Sequence, residues 1–208
     1  PPPPPATTIK ARSARLTSCA KWNFNPILID ADFSVDLSEI NTLNQTVKVY
    51  SNPSEKHTLT IVNGNNFISS FKDIKIMHET NNLKHSTQDG VSFYNCDILT
   101  KDGATVIVSN VNIKSCFINA SQIQCADEYT LEDYVFSDNT WTANTIFGIV
   151  LTSVTVDNLR NCVVSNNRVT NTTPTRTRLF LSPNIPARNI KITDNVIYNP
   201  HVSTDTPL

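Results

Sequence analysis

Glycine is nearly missing from this chain, with four residues in 208. That scarcity excludes collagen and the glycine-rich calcium-binding β-roll. Charge of either sign is sparse as well. Charged residues make up 17% and the net charge is -1, so electrostatics gives no case for nucleic acid or anionic lipid as a partner. No apolar run reaches the ~18 residues of a membrane span. The five cysteines (19, 96, 116, 125 and 162) contain no C-x-x-C and no metal-ligand spacing, and an odd number cannot all pair within one chain. The four histidines (57, 78, 85 and 201) show no zinc spacing and no partnered nucleophile. Neither a metal nor a cofactor is therefore expected. No initiator Met or signal peptide is present, so the sequence reads as a processed or trimmed chain.

What the chain has instead is asparagine, 25 residues of it. Asn is a mediocre helix former that prefers turns and caps. Its placement is periodic. Leu131–Asn144, Leu159–Asn171 and Ala187–Asn199 repeat one pattern at a 28-residue offset. Tyr134, Cys162 and Ile190 share a column, as do Phe136, Val164 and Ile192. So do Asn139, Asn167 and Asn195, and then Trp141, Val169 and Ile197. The form is apolar-x-apolar-x-x-Asn-x-apolar. It continues upstream as Val111-x-Ile113-x-x-Cys116-x-Ile118 and Val91-x-Phe93-x-x-Cys96-x-Ile98, with Cys in the Asn column. A period of this length means stacked copies of one structural unit.

The remaining chain divides by composition. Residues 1–5 are all Pro, and residues 6–26 carry Lys10, Arg12, Arg15 and Lys21 without a single acid. Residues 1–33 are expected to form an extended arm that contacts other subunits. Residues 34–45 are the best helix candidate. Asp36 and Glu39 resemble a capping box, and Leu37, Ile40 and Leu43 are at helical spacing. A short helix within 34–56 would cover the open apolar end of a stack. After residue 45 the chain reads as short strands, with the β-helix expected over 57–200 and a tail at 201–208. TVKVY (46–50), TLTIV (58–62), DIKIM (73–77), GVSFY (90–94), ATVIV (104–108) and VNIKS (111–115) all alternate apolar and polar residues.

A leucine-rich repeat also fits part of the pattern, through Leu159-x-x-Cys162-x-Val164-x-x-Asn167-x-Val169. The return segments TIFGIVLTSVTV (145–156) and TRTRLFLSPNI (175–185) argue against it, because they alternate like strands rather than helices. The expected fold is therefore all-β, a parallel β-helix solenoid. NCVVSNNRVTN (161–171) and NIKITDNVIYN (189–199) resemble coils of the right-handed parallel β-helix superfamily. That superfamily includes pectate lyases, polysaccharide epimerases and phage tailspikes. The resemblance covers about residues 57–199 and is specific for a fold rather than an activity.

Stacked Asn side chains can bond to one another along the axis, since an amide both donates and accepts. Asn139, Asn167 and Asn195 are therefore expected to form a buried ladder, which Cys96 and Cys116 continue as buried thiols. Trp141 and Cys162 fall in apolar columns and are expected in the core. Enzymes of this superfamily place carboxylates, Lys or Arg on the exposed side of the strands. The weak catalytic candidates here are Asp138 and Asp194, about 10 Å apart by stacking and in a corner column where Asx residues normally make turns. Arg160, Arg176, Arg178 and Arg188 are the candidate binding strip for acidic sugars or a partner carboxylate. Asn44, Asn119 and Asn171 lie in N-x-S/T sequons. The expectation is a non-catalytic structural or adhesive module of a virus or phage particle. It would act in a virion or outside the cell, as a homo-oligomer such as a trimer, with glycan as a candidate ligand. The alternative is a polysaccharide lyase, hydrolase or epimerase with a site assembled in a groove or between subunits.

Overall fold

The computed structural model describes residues 26–36, 47–62, 68–79, 83–85, 91–101, 106–108, 111–120, 123–125, 135–143, 147–151, 159–171, 178–181 and 187–198. Its strands are short because apolar and polar residues alternate over only three to five positions before an Asx or Ser corner. The first sheet has eight parallel strands in chain order: Ile27–Leu28, Val47–Tyr50, Ile68–Lys72, Val91–Tyr94, Val111–Lys114, Val135–Ser137, Val163–Ser165 and Lys191–Thr193. The second sheet interleaves with it: Phe33–Val35, Thr58–Ile61, Lys75–His78, Asp97–Thr100, Phe117–Asn119, Thr140–Ala143, Arg168–Asn171 and Val196–Tyr198. A third, five-stranded sheet runs from Leu83–His85 to Arg178–Leu181, and Leu159–Arg160 pairs with Ala187–Arg188. The fold is all-β with parallel strands, an arrangement compatible with a β-helix. Among the described residues no helix is long and apolar enough to cross a membrane.

The register reproduces the columns read from the sequence. Val135, Val163 and Lys191 are partners, as are Trp141, Val169 and Ile197. Inward columns build the core. Val49, Phe71, Phe93, Ile113, Phe136 and Val164 succeed one another in the first sheet, all buried. Phe71 and Phe93 stack at 5.1 Å. Trp141 is fully buried, its indole N–H donating to the Ala120 carbonyl at 2.8 Å. The same two columns end at Ile192 and Ile197, which are 52% and 45% exposed because no described strand lies beyond them.

Between first-sheet and second-sheet strands the chain turns within two residues. Asp73, Asn95, Ser115, Asp138, Asn166 and Asp194 occupy this corner with φ between 51° and 58°. Left-handed backbone disfavours ordinary residues, but Asn and Asp tolerate it through local hydrogen bonds. This explains how a stack of sharp corners is built with almost no glycine. The corner side chains also bond across passes. The Asn95 amide donates to Asp73 Oδ1 and the Asn166 amide to Asp138 Oδ1, both at 2.7 Å.

Two expectations are revised. Among the described residues the first strand is Ile27–Leu28, ahead of the boundary expected at residue 57. The expected helix over 34–45 opens on Ser34 and Val35, which are instead strand, paired with Thr60 and Ile61. Val35 is buried beneath Ile61, so the alternation from Phe33 governs Ser34 and Val35. Residues 37–45 of that expected helix, residues 1–25 of the expected arm and the 201–208 tail lie outside the described residues.

Ser115 is the one corner residue in this series that is neither Asn nor Asp. Ser115→Asn should raise unfolding stability by about 0.5–1.5 kcal/mol, by relieving left-handed strain and adding a bond toward Asn95. Ser115→Val should lower it by about 1–2 kcal/mol. Urea melts of the two variants check both signs.

His78 supplies a pH dependence. It faces inward between Ile61 and Thr100, fully buried, and burial lowers its pKa to about 3. The unfolded chain therefore binds a proton that the native state refuses. The stability held above pH ~6.5 should fall as pH drops toward 3, in total by on the order of 4 kcal/mol. Melts of the protein and of His78→Leu between pH 7 and 4 should show a shallower loss in the variant.

Candidate functional site

The inward polar column is structural. Cys116 N–H donates to Asn139 Oδ1 at 2.9 Å, Asn139 N–H to Asn167 Oδ1 at 3.0 Å, and Asn167 N–H to Asn195 Oδ1 at 3.0 Å. Each Asn amide also donates back to a strand carbonyl: Asn139 to Ile113, Asn167 to Phe136, and Asn195 to Val164. The residue after a left-handed corner points its N–H into the core, where no strand neighbour accepts it. The side chain of the next pass does. Cys96 and Cys116 do the same more weakly. Cys96 N–H lies 3.4 Å from Cys116 Sγ, and Cys96 Sγ is 3.3 Å from the Phe71 carbonyl. Both are buried free thiols, as is Cys162. Burial pushes the Cys96 thiol well up, keeping it protonated.

The corner acids have structural bonds too. Asp138 receives the Asn166 amide at Oδ1 and the Ser137 hydroxyl at Oδ2, 3.2 Å away. Asp194 lies two passes beyond it, about 10 Å by strand spacing, with Asn166 between them. The Arg strip is only partly assembled. Arg160 and Arg188 are register partners, Arg178 lies in the third sheet opposite Phe147, and Arg176 is outside the described residues. Of the sequons, Asn119 and Asn171 lie in second-sheet strands, and Asn44 is outside the described residues.

An acid–base cluster sits where the chain makes an excursion over residues 52–57. Asp32 accepts the Thr58 N–H at 2.7 Å and lies 3.4 Å from His57 Nδ1. The Thr58 amide, followed by His57, holds its carboxyl below the usual range. Lys56 Nζ reaches Asp97 at 2.7 Å. The nearby hydroxyl, Ser51, is buried and donates to the Ile29 carbonyl while accepting the His57 backbone N–H. It is not aligned on the imidazole, so this cluster fastens the excursion and does not form a nucleophilic triad. Among the described residues, no group of three His, Cys, Asp or Glu is arranged to hold a metal.

The outward face of the first sheet is chemically distinctive. Tyr50, Lys72, Tyr94 and Lys114 are consecutive register partners. Lys72, Tyr94 and Lys114 are exposed and Tyr50 is half-buried. Lys72 Nζ lies 5.8 Å from the Tyr94 ring centroid. Lys48 and Lys191 are exposed on the same sheet, and its eight strands contain no Asp or Glu. Residue spacing carried a signal for this column: Tyr50, Lys72, Tyr94 and Lys114 follow one another at 22, 22 and 20 residues. It was hidden because the Asn/Cys marker stops at Cys96, and Ile74 takes its place one pass earlier.

No protein-family model, no curated protein and no solved structure matches the chain.

Truncating the inward ladder should cost most at its buried middle. Asn167→Ala leaves the Asn139 N–H and the Phe136 carbonyl without their partners and should destabilise by about 2–4 kcal/mol. Asn195→Ala, at the more exposed end, should cost less than half as much. Denaturant unfolding of the two variants ranks them.

Proposed function

We propose that the chain is a right-handed parallel β-helix solenoid, of the kind found in pectate lyases and phage tailspikes, that serves as a non-catalytic structural or adhesive module of a virus or phage particle. Right-handedness follows from the near-universal hand of parallel crossover connections. The observation that carries the functional reading is where the polar side chains are used. The inward Asn and Cys residues satisfy corner amides, and Asp73 and Asp138 accept bonds from Asn95 and Asn166. The polar chemistry that repeats from pass to pass is committed to rigidity, which suits a spike, fibre or capsid-associated part. The outward faces are left to meet other molecules.

The segment ahead of Ile27 would tie the module to other subunits. Trimerisation would let three such stacks bury lateral faces against each other. The function would be exercised on a virion or outside the cell, on surface glycans.

The test is oligomeric state together with turnover. Sedimentation should find a folded homo-oligomer, and prolonged incubation with acidic and neutral polysaccharides should release no reducing ends. Polysaccharide cleavage that disappears in Asp138→Asn or Asp194→Asn would overturn the non-catalytic reading in favour of a β-helix enzyme.

A further inference from the structure

We propose that the Tyr50–Lys72–Tyr94–Lys114 column binds a linear polysaccharide in which acidic and uncharged sugars alternate, laid along the stacking direction of the strands. The proposal rests on the adhesive reading above and names its ligand class.

The column alternates aromatic and cationic side chains at every strand step. One step is about 4.8 Å, so like groups recur roughly every 10 Å and the four positions span about 15 Å. A pyranose unit with its linkage advances by close to one strand step. A polymer with one acid on every second sugar therefore presents a carboxylate or sulfate to each Lys. Its intervening ring presents C–H bonds to each Tyr face. Beyond Lys114 the column becomes Ser137, Ser165 and Thr193, so the strip is about four sugars long.

Charge complementarity favours this ligand. The column carries Lys72 and Lys114, and the sheet's strands contain no carboxylate. The flanking acid nearest Lys72 is Asp73, at 4.0 Å, and its other oxygen is taken by Asn95. Tyr94 is 47% exposed and the Lys72 side chain 57%, with the ammonium over the Tyr94 ring, 5.8 Å from its centroid. The strip is also pre-organised. The carbonyls of Tyr50, Lys72, Tyr94 and Lys114 each accept a corner N–H from the preceding pass, from Ile29, Ser51, Asp73 and Asn95, at 2.8–3.1 Å. Little backbone ordering is then left to oppose binding. A nucleic acid strand fits worse. Its charges come about every 3.4 Å along a duplex strand, so each Lys would meet only one phosphate in about three.

The experiment uses the full chain and a hyaluronan octasaccharide, which alternates glucuronate and N-acetylglucosamine, by calorimetry and saturation-transfer NMR. Controls are a neutral chitin oligosaccharide, an all-acidic galacturonate oligomer and single-stranded DNA. Hyaluronan should bind at least fivefold more tightly than each control. Tyr94→Ala and Lys72→Ala should each weaken it at least fivefold, with circular dichroism unchanged since both side chains are exposed. Lys191→Ala, on the same sheet but off the column, should leave it unchanged. Equal binding of the neutral oligomer or of DNA would overturn the proposal, as would equal loss in Lys191→Ala. Absence of hyaluronan binding by a folded oligomer would overturn the strip while leaving the structural reading intact. Cleavage of the octasaccharide would overturn the non-catalytic reading itself.

Discussion

A backbone N–H that points into the core at each corner is the constraint on which the rest of this molecule depends. A two-residue corner between parallel strands needs one residue in left-handed conformation. The residue after it then aims its amide inward, away from any strand partner. An unsatisfied buried amide costs about 1–3 kcal/mol, and the same corner recurs on successive passes. The chain meets this cost with the side chain one pass ahead, Cys116 for Cys96, Asn139 for Cys116, Asn167 for Asn139 and Asn195 for Asn167. Composition follows directly. Asn and Asp occupy the strained corner, Asn and Cys occupy the position after it, and glycine is scarcely needed.

Once the corners are fixed, the surfaces are determined. Alternation sends one set of columns inward as stacked Ile, Val, Phe and Trp, and the other set outward. Because register is held from Lys48 onward, after a shift at Val47, an outward column becomes a row of side chains one strand step apart. That turns Tyr50, Lys72, Tyr94 and Lys114, scattered through 65 residues of sequence, into one strip. It also leaves the last described pass presenting Ile192 and Ile197, whose columns the earlier passes bury.

The later passes were legible in the sequence because one residue marked them. Asn139, Asn167 and Asn195 stand 28 apart, and their hydrogen bonds are those the pattern implied. Cys96 and Cys116 were legible as the same column because a thiol is a small donor and acceptor. The early passes were not. Ile74 stands where the marker should be, and the excursion over residues 52–57 breaks the spacing. Ser34 and Val35 therefore read as the start of a helix, and Val47–Tyr50, though strand-like in its alternation, falls within the expected cap and not the repeat. The Tyr50–Lys72–Tyr94–Lys114 column is hard to see in the sequence for the same reason, since half of it lies ahead of the marked repeats. Arg160 and Arg188 are register partners, whereas Arg178 lies on another sheet.

Residue-resolved amide hydrogen exchange tests the central claim most directly. If side chains of the next pass accept the inward corner amides, the N–H groups of Cys116, Asn139 and Asn167 will exchange as slowly as those of the flanking strand residues Ile113, Phe136 and Val164. Rapid exchange at these three amides, with the strands protected, would contradict the ladder as the interaction that holds the stack together.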